Sequence, residues 1–409
     1  MNGYQYSCSL CGVTVKGPLA YTCPQCGDQG LLDIQYDYRK VKELGWCMKG
    51  NFSAPARYCR LLPLDSEYND ADMPVSVGNA PLIRLRTWEK QFGQSSVSLL
   101  DDTREPTASF KDRASVIASL KARELGESVV TCASTGNAGS SMAGINAAFG
   151  LSTRIFVPEK APIAKLTQII TFGATVFRIR GTYDNAYDLC QVVARKQGWY
   201  NRSTGYNPVL LEGKKTAAFE IYEKCGVPDR VYVPVGDGCI IAGIYKGFQD
   251  LVALGVCQEF PFIVGVQADG SAAYCRAVEN GFAMQTVKAS TIADSISVDL
   301  PRVFSQAIRI AQSGHGSFIS VSDSEILNAQ KQLAACCGVF AEPAAAAAAA
   351  GFIRDKQSGV LSGREKVVLL ITGNGLKDVQ SALSGVALPE PIEPNPQSVD
   401  MILTKKRQE

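Results

Sequence analysis

Cys8-x-x-Cys11 and Cys23-x-x-Cys26 stand near the start of the chain, with eleven residues between the pairs. Each pair lies beside glycine, in Cys11-Gly12 and in Cys23-Pro24-Gln25-Cys26-Gly27. Turns that tight let two thiolates converge on one ion, and four thiolates complete a tetrahedron around Zn²⁺. The other ten of the fourteen cysteines, Cys336-Cys337 among them, are scattered and read as small core residues. So many unpaired thiols suit a reducing compartment. The single histidine, His315, sits in Ser313-Gly314-His315-Gly316 and cannot supply a two-histidine zinc site. Any Ser–His–Asp or Cys–His scheme would depend on it, and it reads as a loop histidine without chemical duty. Proton transfer then falls to lysine, a carboxylate, tyrosine or a cofactor.

Four turns are more specialised than ordinary loops. In Ser109-Phe110-Lys111-Asp112-Arg113 a lysine opens a helical pattern, where the positive end of the dipole favours its neutral, nucleophilic form. The same Lys-Asp-Arg also reads as a solvated helix start. Ala133-Ser134-Thr135-Gly136-Asn137-Ala138-Gly139 offers two hydroxyls, an amide and free N–H groups, which would bind a carboxylate or simply cap the helix. Val235-Gly236-Asp237-Gly238-Cys239-Ile240-Ile241-Ala242-Gly243 can point successive N–H groups into one concavity, suited to a phosphate. It is not a Walker A loop, since no Lys-Ser/Thr closes it. Thr372-Gly373-Asn374-Gly375 puts a hydroxyl at the end of an apolar strand, where open α/β sheets bind ligands.

These turns need a frame, and the chain supplies one. Short β-branched runs alternate with helical patterns from about Gly78 onward. Strands are expected at 129–132, 154–157, 175–179, 230–235, 262–266, 318–321 and 367–372, with helices at 137–148 and 163–172. Such alternation predicts parallel sheets flanked by helices. The run Ala344 to Ala350 predicts a slim, closely packed helix. With 409 residues, 46% hydrophobic and 20% charged, the chain is globular and long enough for two or three domains. The expected division is a zinc ribbon at 1–45, a discontinuous large lobe at 46–100 and 211–385, a small lobe at 101–210, and an arm at 386–409. Four prolines from Pro389 to Pro396 predict that the arm is extended, wrapping the fold or the second subunit of a homodimer. A net charge of +2 gives no electrostatic case for nucleic acid or an anionic membrane. No apolar run suggests a membrane span, and the N-terminus lacks a signal-peptide layout, so a cytoplasmic protein is expected.

Taken together, the turns resemble those of the fold type II (tryptophan-synthase β-like) pyridoxal-phosphate enzymes, and within them the threonine synthases. Glu105-Pro106-Thr107-Ala108-Ser109-Phe110-Lys111-Asp112-Arg113 is similar to the family's Pro-Thr-Gly-Ser-Phe-Lys-Asp-Arg motif. The resemblance implies a two-lobed α/β fold with Lys111 holding pyridoxal phosphate as a Schiff base, next to Phe110. It implies Asn137 on the cofactor's 3′ oxygen, a phosphate cradle of Gly236, Asp237, Gly238, Cys239 and Ile240, and Thr372 facing the pyridine nitrogen. Ser134, Thr135, Asn137 and Ala138 would take the substrate's carboxylate. The cysteine ribbon is similar to one found at the start of many threonine synthases.

The implied activity is conversion of O-phospho-L-homoserine and water to L-threonine and phosphate. One motif departs from the pattern: where the family commonly has Asn-Pro-x-Arg-x-Glu-Gly-Gln-Lys-Thr, this chain reads Asn207-Pro208-Val209-Leu210-Leu211-Glu212-Gly213-Lys214-Lys215-Thr216. Leucine cannot replace a bidentate guanidinium, so Lys214 or Lys215 is expected to supply the charge. Ala108 and Ala114 also replace family glycines, and Thr291-Ile292-Ala293-Asp294-Ser295 resembles the threonine-dehydratase branch. Alternatives are therefore a cysteate synthase-like replacement on O-phosphoserine, a serine or threonine deaminase, and a non-catalytic zinc-ribbon binding protein.

Overall fold

The computed structural model describes residues 3–47 and 52–406. The chain begins as a four-stranded antiparallel ribbon of Tyr4–Cys8, Thr14–Val15, Thr22–Cys23 and Gly27–Tyr36. Its last strand buries Leu32, Ile34 and Tyr36 in the same apolar core as Leu210, Ala217 and Phe219. Tyr36 Oη donates to Glu212 at 2.6 Å, and Arg309 pairs with Asp33 at 2.7 Å. The ribbon thus shares its core with helices far along the sequence.

Two parallel sheets carry the rest. The larger runs Gly316–Val321, Phe262–Ala268, Arg230–Pro234, Lys366–Ile371, Ser96–Asp101 and Leu82–Arg84, parallel except for the last, edge strand. The smaller orders Tyr200–Asn201, Val129–Ala133, Ser152–Pro158 and Thr175–Ile179, all parallel. Seven of these ten strands lie where the β-branched runs predict, and those in the middle of each sheet are nearly continuously apolar because they are covered on both faces. Leu82–Arg84, Ser96–Asp101 and Tyr200–Asn201 lie outside the expected runs. Helix Pro343–Gln357 crosses the larger sheet with every residue from Ala344 to Ala350 at most 2% exposed. Methyl side chains let it sit close to the strands, and beyond them Phe352 stacks on Trp88 at 5.7 Å.

Helix Lys111–Glu124 packs on helix Val209–Cys225 at Gly213, where an added Cβ would lie 2.2 Å from the Arg113 carbonyl oxygen. The solvated reading of Lys-Asp-Arg is wrong for this helix. Asp112 and Arg113 are buried, and Arg113 reaches Asp102 at 2.6 Å and Glu220 at 2.8 Å. Glu220 lies 107 residues further along the chain, and Asp102 in a separate turn before the helix, so a pattern read along the helix alone does not register them.

The C-terminal arm is also not extended throughout. Pro396–Lys406 is a helix, since proline fits the first helical turn and Asn395 Oδ1 accepts the Ser398 N–H at 2.9 Å. Among the described residues no helix is long and apolar enough to cross a membrane.

Candidate active site

Lys111 opens its helix at the wall of a cleft of about 660 Å³ between the two parallel sheets. Phe110, fully buried, donates its N–H to the Thr372 carbonyl at 2.9 Å, and Asn374 N–H reaches the Ala108 carbonyl at 3.1 Å. These bonds stitch the Thr372 turn to the lysine turn, so both residues line the cleft together. Ala108 holds φ = 62°, a left-handed conformation that suits the glycine of the resembled motif. Burial, then the nearby charge of Lys214, with Arg202 adding to it, brings the Lys111 amine down to about 8. The helix dipole argument has the right sign, but desolvation and like charge are the leading causes.

Strand Arg230–Pro234 ends at Gly236, and helix Cys239–Ala253 begins with Gly238 at φ = 90°. An added Cβ at Gly238 would lie 2.1 Å from Tyr274 Oη, and one at Gly236 would lie 2.9 Å from Ile296 Cα. Only glycine fits this bend; Gly236 to Ile240 line the cleft, and the first N–H groups of the helix have no intrahelical partners. Asp237 is turned partly aside: its carbonyl accepts from Tyr274 Oη at 2.9 Å and a carboxylate oxygen from Arg302 N–H at 3.3 Å. The cradle, a buried amine and a neutral hydroxyl at Thr372 fit pyridoxal phosphate.

Ser134, Thr135, Asn137 and Ala138 line the opposite wall. Ser134 Oγ accepts the Gly139 N–H at 3.1 Å, so the capping role is real, while Asn137 and Ala138 start the helix, where N–H groups lack intrahelical partners, and line the cleft. Asn137 Nδ2 donates to both oxygens of Glu342 at 2.9 Å and to Ser295 Oγ at 3.1 Å. Glu342 is fully buried, which pushes its carboxyl above the usual range against the pull of Asn137, Lys377 and Lys111.

Lys214 is buried and lines the cleft. Lys215 does not: its ammonium pairs with Asp250 at 2.7 Å and with Glu212. Leu210 lies in the apolar core rather than on the cleft wall. Of the cleft residues, Arg202 escapes motif reading and has no local signal, whereas Glu342 stands in Glu342-Pro343-Ala344, a segment similar to one of the resembled family. His315 stays out of the cleft, its ring 4.4 Å from that of Phe260.

In the ribbon, the sulfurs of Cys8, Cys11, Cys23 and Cys26 lie within 4.8 Å of one another, Cys11 to Cys23 at 3.7 Å. Four thiolates at zinc-bond length sit about 3.8 Å apart in a tetrahedron, so the set fits. A side chain at Gly30 would put a Cβ 2.5 Å from Cys23 Cβ, which explains a glycine behind the cluster.

Fold and site together define a pyridoxal-phosphate-dependent enzyme, and a family model described as "Pyridoxal-phosphate dependent enzyme" matches residues 74–373. A threonine synthase of Methanocaldococcus jannaschii is 35% identical over 394 residues, 94% of this chain and 96% of that protein. One from Bacillus sp. (strain ULM1) is 37% identical, covering 80% and 91%. The chain belongs to the threonine synthase family. Solved structures share the fold at lower identity. Processed threonine deaminase isoform 2 from Solanum lycopersicum superposes with a TM-score of 0.64 at 21% identity, over 76% of this chain and 88% of that one. Serine racemase from Dictyostelium discoideum gives 0.63 at 22%, over 73% and 92%.

Proposed function

We propose that the chain converts O-phospho-L-homoserine and water to L-threonine and inorganic phosphate. The observation that carries this reading is Lys214, a buried cation without an ion-pair partner among the described residues, beside Lys111. When bound, pyridoxal phosphate supplies an electron sink that loosens protons on the carbons near the amino group. Gly236 to Ile240 would hold its phosphate, Lys111 its aldehyde carbon, Asn137 its phenolic oxygen once its amide turns from Glu342 and Ser295, and Thr372 would stand neutral by its ring nitrogen.

The substrate's carboxylate docks on the Ser134–Ala138 turn, where hydroxyls and N–H groups converge at a helix start. Lys111, with a pKa of about 8, is partly neutral near pH 7 and takes the proton beside the substrate's amine. Lys214 stabilises the charge that gathers on the departing phosphate. Across the reaction the γ-carbon loses phosphate and gains a proton, while the β-carbon loses a proton and gains hydroxyl from water. Cys8, Cys11, Cys23 and Cys26 hold one zinc as structural thiolates.

Ser295, within reach of Asn137 in the cleft, keeps a second reading in view: elimination from a hydroxyamino acid or replacement on O-phosphoserine. Phosphate release from O-phosphohomoserine and from O-phosphoserine, with product identification, separates them. Threonine from the first substrate is expected. A keto acid, or turnover of phosphoserine alone, would overturn the assignment.

A further inference from the structure

Buried cations elsewhere in this protein meet carboxylates: Arg113 has Asp102 and Glu220, Lys121 has Asp65 and Glu124, and Lys215 has Asp250. Arg202 is as deeply buried, 1% exposed, yet no carboxylate lies within ion-pair distance among the described residues. Its Nε has no hydrogen-bond partner, and one terminal nitrogen donates only to Ser115 Oγ at 3.2 Å. Ser115 stands one turn beyond Lys111 on the same helix, so the guanidinium lies on the helix face that carries the amine, and it lines the same cleft. A desolvated guanidinium with idle donors is costly unless something anionic completes it.

We propose that Arg202 is the guanidinium that holds the substrate's leaving phosphate, together with Lys214, in place of the arginine that Leu210 lacks. The inference rests on the reading of the substrate as a phosphorylated amino acid. The other two anions have their own donors: backbone N–H groups of the Gly236–Ile240 cradle for the cofactor's phosphate, and the Ser134–Ala138 turn for the carboxylate. What remains is a planar fork and a point charge, a pair that fits a phosphate dianion.

The test uses the cofactor-loaded protein, inorganic phosphate as ligand, and calorimetry. Arg202→Gln should weaken phosphate binding roughly thirtyfold, as expected for a lost charge-assisted contact, and Arg202→Lys should fall between. Pyridoxal-phosphate affinity should stay within about twofold, because its phosphate rests on the cradle. The phosphate-free variant should melt higher than the parent, since an uncompensated buried charge has gone; a merely structural arginine would give a lower melting temperature. Unchanged phosphate binding in Arg202→Gln, or a parallel loss of cofactor affinity, overturns the assignment; Arg202→Lys carries the same comparison should the glutamine variant not fold. Parent protein that makes no threonine from O-phosphohomoserine refutes the substrate reading instead. Parent protein that makes it, with phosphate binding indifferent to position 202, refutes the role of Arg202 alone.

Discussion

Replacing Lys214 by methionine removes a charge while keeping length and apolar bulk, and so isolates what that charge does to Lys111. The Lys111 amine is brought from 10.5 to about 8, first by burial and next by Lys214. At pH 7 an amine with a pKa of about 8 is neutral roughly one time in ten, against one in three thousand at the ordinary value. The environment therefore supplies about a three-hundredfold gain in nucleophile. Burial survives the substitution, so Lys214→Met should return part of this gain, about tenfold at pH 7. The assay is the rate at which the apoprotein joins covalently to pyridoxal, followed by visible absorbance across pH. Pyridoxal lacks the phosphate, so a contact between Lys214 and that group does not enter. The midpoint of the profile should move upward by about one pH unit. Stability gives a second readout. Between about pH 8 and 10.5 the unfolded chain holds a proton on Lys111 that the folded chain has lost, so apoprotein stability rises with pH in that window. That rise should shrink in the variant. Superimposable profiles, or a midpoint that moves down, would refute the claim that Lys214 acts on Lys111 through charge.

Cys23→Ser should lower bound zinc from one ion per chain and destabilise the ribbon, while covalent cofactor attachment at Lys111 persists; metal analysis and absorbance measure the two together. Gly213→Ala should cost about 3 kcal/mol, read as a lower urea midpoint, because its Cβ would lie 2.2 Å from a backbone oxygen that cannot swing away. Lys214→Ala should reduce turnover of a phosphorylated substrate roughly thirtyfold more than that of an unphosphorylated analogue.

Most of the frame was readable because strands covered on both faces must be apolar along their length, and because Cys-x-x-Cys pairs and glycine turns are local in sequence. The edge strand Leu82–Arg84, its neighbour Ser96–Asp101 and the two-residue Tyr200–Asn201 carry too short or too mixed a pattern to stand out. Side chains whose meaning lies in distant partners were not. Arg113 looks like a solvated residue at a helix start until Asp102 and Glu220 arrive from elsewhere in the chain. Lys214 and Lys215 differ by about 100° around one helix, so periodicity separates them without saying which faces the cleft. The structure gives the cleft to Lys214 and Asp250 to Lys215. Arg202 is the hardest case, because its significance is the absence of a counter-charge within a buried setting, a property of its surroundings and not of its own segment.

The cations that would grip a phosphate are also those that hold Lys111 neutral, and this ties substrate binding to proton affinity. Lys214 and Arg202 both lower the Lys111 amine, so an anion seated between them cancels part of their effect. Lys111 should then bind a proton more tightly with phosphate present, becoming a stronger base while the phosphorylated substrate is in place and a weaker one after phosphate leaves. Inorganic phosphate should accordingly move the apoprotein's pyridoxal-attachment profile to higher pH and slow attachment at pH 7, several-fold at saturation if the anion cancels most of one neighbouring charge. In Lys214→Met the same addition should produce a smaller shift, since less positive charge remains to be cancelled. A shift of equal size in parent and variant would mean that phosphate acts on Lys111 from some other place, and the coupling through Lys214 would be lost.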